Sequence, residues 1–194
     1  MNNKIPKTFY LQENVVGVAK ELLGKIVYTK LNNEGITGGI IIETEAYAGI
    51  NDKASHAYGN RRTKRTETMY CEGGVVYIYL CYGIHSLLNV VTNKKDIPHA
   101  VLIRGIKPLV GMDIMMKRRN IKDSRKLNGI GPGNVSKLLG VHYSLSGESL
   151  LGDKIWIEDQ GIKISSSKIV VGKRIGVDYA KEDAELPYRF SIKG

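Results

Sequence analysis

Apolar and polar positions along this chain change period several times, and each change marks an element. Over residues 9–23 the apolar Leu11, Val15, Val18, Leu22 and Leu23 recur at helical spacing, which predicts a helix. Residues 25–30 and 37–47 then alternate or run β-branched, with Asn32-Asn33-Glu34-Gly35 between them as a turn. A second hairpin is predicted over residues 75–92. Val75, Tyr77 and Tyr79 share one face of its outgoing strand, Leu88, Val90 and Val91 belong to the return, and Tyr82-Gly83 forms the tip. Residues 100–106 read as a strand that ends towards Pro108, and residues 112–119 as a basic helix. Gly131-Pro132-Gly133-Asn134 breaks the chain before a short helix over 135–139. Strands over 155–157, 162–164, 169–172 and 188–192 complete the pattern. No repeat or linker divides it. The prediction is an α+β fold, one domain over residues 1–194, with a curved, mostly antiparallel β-sheet and peripheral helices.

Length agrees with that picture, since 194 residues suffice for one well-packed domain and are few for two. Charge adds a partner. Lys and Arg number 29 against 19 acids, a net charge of +10, which favours a polyanion, nucleic acid before membrane. The first ten residues contain no apolar run of a secretory signal, and no apolar stretch is long enough to span a bilayer. Cys71 and Cys81 offer neither a disulfide framework nor zinc spacing. The expectation is a cytoplasmic protein without metal or other cofactor.

Candidate chemistry concentrates between residues 41 and 65. Glu43 and Glu45 lie two apart on a strand and so point to one face, and His56 and the basic run Arg61, Arg62, Lys64, Arg65 follow. Taken alone, such an acid pair is more often surface or ion-pair structure. The apolar flanks Ile41, Ile42, Ala46 and Tyr47 suggest a partly buried strand end, where at least one of the two carboxylates needs a partner or a purpose. Arg104 is a candidate partner. The aromatic set is skewed as well: eleven Tyr against two Phe and one Trp suits a face that both stacks and hydrogen-bonds. Tyr77 is expected to cover the sheet. Tyr79 and Tyr82 fit that role and a nucleic-acid role equally, because a ring at a tip can enter a base stack. Ser136 and Lys137, just after the Gly-Pro-Gly break, stand where a helix N-terminus could meet phosphate. GIGPGNVSKLL superficially matches a helix-hairpin-helix turn, with Asp153 about where that superfamily keeps its acid. The β-branched runs on both sides argue against an all-helical fold.

Taken in order, these residues resemble the alkyladenine (3-methyladenine) DNA glycosylase family over nearly the whole chain. The resemblance rests on ETEAY at 43–47 with His56 nine residues on, the Y-x-Y-x-x-Y-G pattern at 77–83, Asn89, and LIR ending at Arg104. GPG followed by Ser136-Lys137-Leu138, and RIGV at 174–177, extend it. It implies a monofunctional enzyme, monomeric and of compact bacterial type, that removes alkylated or deaminated purines from double-stranded DNA. By that resemblance Glu45 is the general base and Arg104 orients it and its water. Tyr47, His56, Tyr79 and Asn89 bind the flipped base, with Asn89 rejecting guanine, and Tyr82 fills the gap in the duplex. Arg61, Arg62, Arg65, Ser136 and Lys137 are then candidates for the DNA backbone. Two other readings remain at this point: a non-catalytic nucleic-acid-binding module, and a metal-dependent nuclease using Glu43 and Glu45.

Overall fold

The computed structural model describes residues 3–193. Its frame is a curled antiparallel half-barrel flanked by a few helices. Strands β1 (Ile26–Lys30), β2 (Ile36–Tyr47), β3 (Val76–Cys81), β4 (His85–Thr92), β5 (His99–Val110) and β6 (Ile155–Glu158) lie in the order β3-β4-β5-β2-β1-β6. A short ribbon of β7 (Ile169–Gly172) and β8 (Arg189–Ile192) joins through β8, which pairs with β2 at Glu43, Thr44 and Glu45. Every pairing is antiparallel. The two long strands β2 and β5 form the spine. β2 pairs with β1 through its first half and with β8 near its end.

The helix expected over 9–23 is two pieces, α1 (Lys7–Tyr10) and α2 (Val15–Glu21). Asn14 divides them, because its side chain accepts the Gly17 N–H at 3.0 Å and so caps a new helix. α2 packs on the spine, with Val18, Ala19 and Leu22 fully buried and Thr44 Oγ1 donating to the Ala19 carbonyl at 2.7 Å. Helix α3 (Met112–Arg119) has the expected bounds. Helix α4 (Pro132–Leu139) starts earlier than expected, because Pro132 occupies its first turn, where a missing N–H costs nothing. Residues 162–164 form no strand; the Ile162 carbonyl and the Ile164 side chain close over Gly24 instead. β5 runs past Pro108 to Val110, with a register shift opposite Gly38 and Gly39 that accommodates the imino acid.

One irregularity matters for the site. Glu43 pairs with Gly105 and Thr44 with Ile103, so Arg104 is the extra residue of a bulge on β5. A bulge re-aims the side chain it carries. Here it turns Arg104 towards both glutamates of β2.

Candidate active site

Of the acid pair, Glu45 lines a pocket of about 200 Å³ together with Arg104, while Glu43 lies behind them, outside the lining. Glu45 is 1% exposed and accepts three hydrogen-bonding or ionic contacts. Its Oε1 takes the Ile175 N–H at 2.9 Å and the Arg104 Nε at 3.2 Å, and its Oε2 takes the Tyr47 hydroxyl at 2.9 Å. A carboxylate offers about four acceptor sites, so roughly one is left for a water or a substrate proton. Burial pushes the Glu45 acid up from its ordinary value, and the neighbouring Glu43 adds to the rise. The Ile175 N–H, Arg104 and Tyr47 oppose it. The result is a carboxylate held in place yet more basic than one in water, which is what a general base requires. Tyr47 is pushed well above its ordinary value by burial and then by Glu45, so it remains a hydroxyl donor. A single guanidinium, that of Arg104, stands between the two glutamates, 3.2 Å from each.

The pocket wall is aromatic. His56 and Tyr79 meet edge to face at 4.6 Å, Tyr79 lies 5.5 Å from Tyr77, and His56 Nδ1 sits 2.9 Å from the Tyr77 hydroxyl. Burial and the charges of Arg65 and Arg61 lower the His56 pKa to about 4. The imidazole is therefore neutral at ordinary pH and would not repel a cationic ligand. Tyr77, expected only to cover the sheet, does so and also lines the pocket. Asn89 is fixed at the wall by donating its amide to the carbonyls of Tyr77 and Leu87, both at 3.1 Å. Arg65 lies over the Tyr79 ring at 5.1 Å.

At the rim stands Tyr82, 90% exposed, on the turn between β3 and β4. It adopts φ +49°, and Gly83 beside it φ +72°. Such turns favour Asn-Gly; a bulky residue there is an outlier that points to a use for the ring. Of the candidate backbone contacts, Arg61 and Lys137 are exposed. Arg62 is already paired with Glu67 and Asp96. Ser136 is buried and donates its hydroxyl to the Pro132 carbonyl, which turns it away from an external phosphate. Asp153 is a surface acid paired with Lys4 and has no place in the pocket.

Several participants were not singled out in the sequence. The Ile175 N–H arrives from the irregular segment after β7, which also brings Val177 and Tyr179 to the pocket. Arg174 anchors that segment. Its side chain is fully buried, with Nη1 donating to Asp52 Oδ2 at 2.5 Å and Nη2 to Oδ1 at 2.9 Å. It also stacks on Tyr47 at 4.9 Å and Tyr188 at 5.3 Å. The only sequence signal was RIGV within the family pattern, because a backbone donor leaves no trace in residue type.

An antiparallel half-barrel whose aromatic pocket holds a single restrained carboxylate defines a class: an enzyme with one small, largely apolar substrate site. Residues 8–194 match the family model described as methylpurine-DNA glycosylase. A chain from Chlamydia abortus, provisionally named 3-methyladenine DNA glycosylase, is 48% identical over 189 residues, covering 97% of each chain. Similarly named chains from Chlamydia felis and Clostridium perfringens strain 13 are 46% and 42% identical, covering 97% and 98% of this chain and 95% and 96% of their own. The chain therefore belongs to the methylpurine-DNA glycosylase family, hydrolases of N-glycosyl bonds that act in base excision repair of DNA.

Proposed function

We propose that this enzyme turns an alkylated or deaminated purine out of duplex DNA and hydrolyses its N-glycosyl bond with water activated by Glu45. The lesions are of the 3-methyladenine, hypoxanthine and ethenoadenine class. The observation that carries this reading is the Glu45 carboxylate, buried at the inner end of an aromatic slot with three donors on it and one acceptor position left. The base enters between Tyr47, His56 and Tyr79, and Tyr82 occupies the gap it leaves in the stack. A pocket of about 200 Å³ is small for a drug-sized ligand and suits one flat ring system. Asn89, pinned by two carbonyls, cannot move aside for an exocyclic amine and so rejects guanine.

In the chemical step the water oxygen bonds to C1′ and its proton passes to Glu45. The C1′–N bond breaks with its electron pair going to the purine. A cationic 3-methyladenine leaves neutral, whereas a neutral hypoxanthine must also gain a proton. Arg104 Nε holds the Oε1 side of Glu45 so that the remaining lone pair faces the water. No lysine lines the pocket among the described residues, which supports hydrolysis without a Schiff base and so a monofunctional enzyme. Double-stranded DNA is the partner, the enzyme acts as a monomer, and its place is the cytoplasm, where the DNA of a bacterial cell lies.

The test is excision from duplexes containing hypoxanthine, ethenoadenine or 3-methyladenine, scored as abasic sites. Glu45→Gln retains shape and lesion binding and loses at least about 100-fold in single-turnover excision, within the range for removing a general base. Full activity in Glu45→Gln would overturn the mechanism.

A further inference from the structure

Glu45 does not meet Arg104 in isolation. Four charged groups stand in a row across β2, β5 and β8, alternating in sign. Arg189 Nη1 lies 3.0 Å from Glu43 Oε1, Arg104 Nη1 lies 3.2 Å from Glu43 Oε2, and Arg104 Nε lies 3.2 Å from Glu45 Oε1. The sheet dictates this order. Glu43 and Glu45 share a face of β2, Arg189 pairs opposite Glu45 in the β2–β8 ladder, and the bulge on β5 directs Arg104 between the acids. Gly105 leaves Glu43 its room, since a Cβ at 105 would stand 3.0 Å from the Glu43 Cβ. Arg189 is tied further out by its Nε, which donates to the Lys173 carbonyl at 2.7 Å.

Consider what each outer group does to the inner pair. An arginine engaged with Glu45 alone would stabilise the carboxylate and make it a poor proton acceptor. Glu43 takes a share of that guanidinium, and its own negative charge acts on Glu45 in the same direction. Arg189 neutralises Glu43 and works the other way. We propose that Glu43 and Arg189 are opposed positioning residues: Glu43 keeps Arg104 from fully claiming Glu45, and Arg189 limits how far it does so. This deepens the reading of Glu45 as the base and rests on it. The other groups facing Glu45 are Tyr47 from β2 and the Ile175 N–H, with the buried Arg174–Asp52 pair behind Tyr47. None of them bonds Glu43 or Arg189 directly, although Arg189 also holds the Lys173 carbonyl, two residues before Ile175. The direction assigned to Glu43 agrees with its effect on Glu45, which it makes harder to ionise.

The experiment is single-turnover excision from one lesion duplex between pH 4.5 and 8, so that the titration of the substrate is common to every variant. In Glu43→Gln the acid limb moves to lower pH by about half a unit or more, because Glu45 is now ionised more easily. In Arg189→Gln it moves to higher pH by a similar amount, and Arg189→Lys returns it towards the wild type. A merely structural role predicts a lower rate with an unmoved limb. That result, or shifts of the same sign in both variants, overturns the proposal. Arg189 is partly exposed, so its variants serve even if Glu43→Gln folds poorly. Glu45→Gln run beside them separates the two claims. If it stays active, the reading of the base fails; if it is inactive and the limbs do not diverge, only the positioning roles fail.

Discussion

At the scale of single residues, the wedge role proposed for Tyr82 sets function against local stability. The left-handed region costs an ordinary L-residue roughly 1–2 kcal/mol, and Tyr82 sits there at φ +49° with almost all of its surface in water. Among the described residues its side chain makes no hydrogen bond, ion pair or ring contact that would repay that cost. Tyr82→Asn should therefore raise stability by about 1 kcal/mol, since Asn-Gly is the preferred pair for such a turn. Capture of the flipped base should weaken in the same variant. Thermal unfolding and lesion-duplex binding, measured together, would show one rising and the other falling; a change of both in one direction would remove the wedge role. Residue types made much of the site legible. Strand periodicity set Glu43 with Glu45 and Tyr77 with Tyr79 on common faces. The pocket places of Tyr47 and Tyr79 came from the family resemblance, and Arg104 was anticipated as a partner of the acids. That Arg104 reaches both acids was not, because it depends on a bulge that leaves no mark in the alternation of apolar residues.

At the scale of elements, the segment between β7 and β8 is a clamp on the pocket. It has no helical or strand period to read, and much of it is 3₁₀ turn. Its hold on the rest of the protein is Arg174, whose guanidinium reaches Asp52, the Ala46 carbonyl at 2.9 Å and the Asp183 carbonyl at 2.9 Å. Asp52 in turn caps its own loop by accepting the N–H groups of Ala48 and Ala54. Removing one member of a buried ion pair costs about 3–5 kcal/mol, because the other charge is left without a counterion. Asp52→Asn should lower the midpoint of thermal unfolding by about 10 °C for a chain of this size. Replacing both charges, as in Asp52→Leu with Arg174→Met, should recover much of that loss, since paired apolar substitutes are often tolerated. Excision should stay low in the double variant, because the Ile175 N–H is no longer held against Glu45. Recovered activity alongside recovered stability would reduce the clamp to a packing device. The same reasoning explains which elements were legible. Both hairpins followed from period-2 runs, whereas residues 162–164 had the composition of a strand and instead close over Gly24. The helix expected over 9–23 was split by the side chain of Asn14, a capping choice that apolar spacing does not register.

For the whole molecule the excess of ten positive charges is a statement about salt. Each phosphate neutralised on duplex DNA releases counterions, so the slope of log affinity against log salt steepens by about 0.9 per contact. The basic run after His56 is not uniform in this respect. Arg62 is held between Glu67 and Asp96, and Arg65 lies over Tyr79, while Arg61 and Lys64 form no ion pair among the described residues. The run between residues 117 and 126 is likewise divided, with Arg118 locked onto Glu34 and the Leu138 carbonyl and Arg125 onto Asp123. Counting basic residues therefore overstates the contacts, and partner occupancy in the free protein identifies the ones available. Arg61→Ala and Lys64→Ala should each weaken binding to damaged and undamaged duplexes alike and reduce the salt slope by about one. Arg62→Ala should leave the slope unchanged and act, if at all, by loosening the loop that carries His56. Fluorescence anisotropy over a salt series distinguishes the two behaviours. A full unit of slope lost in Arg62→Ala would mean that DNA displaces Glu67 and Asp96, and that the loop rearranges to meet its substrate.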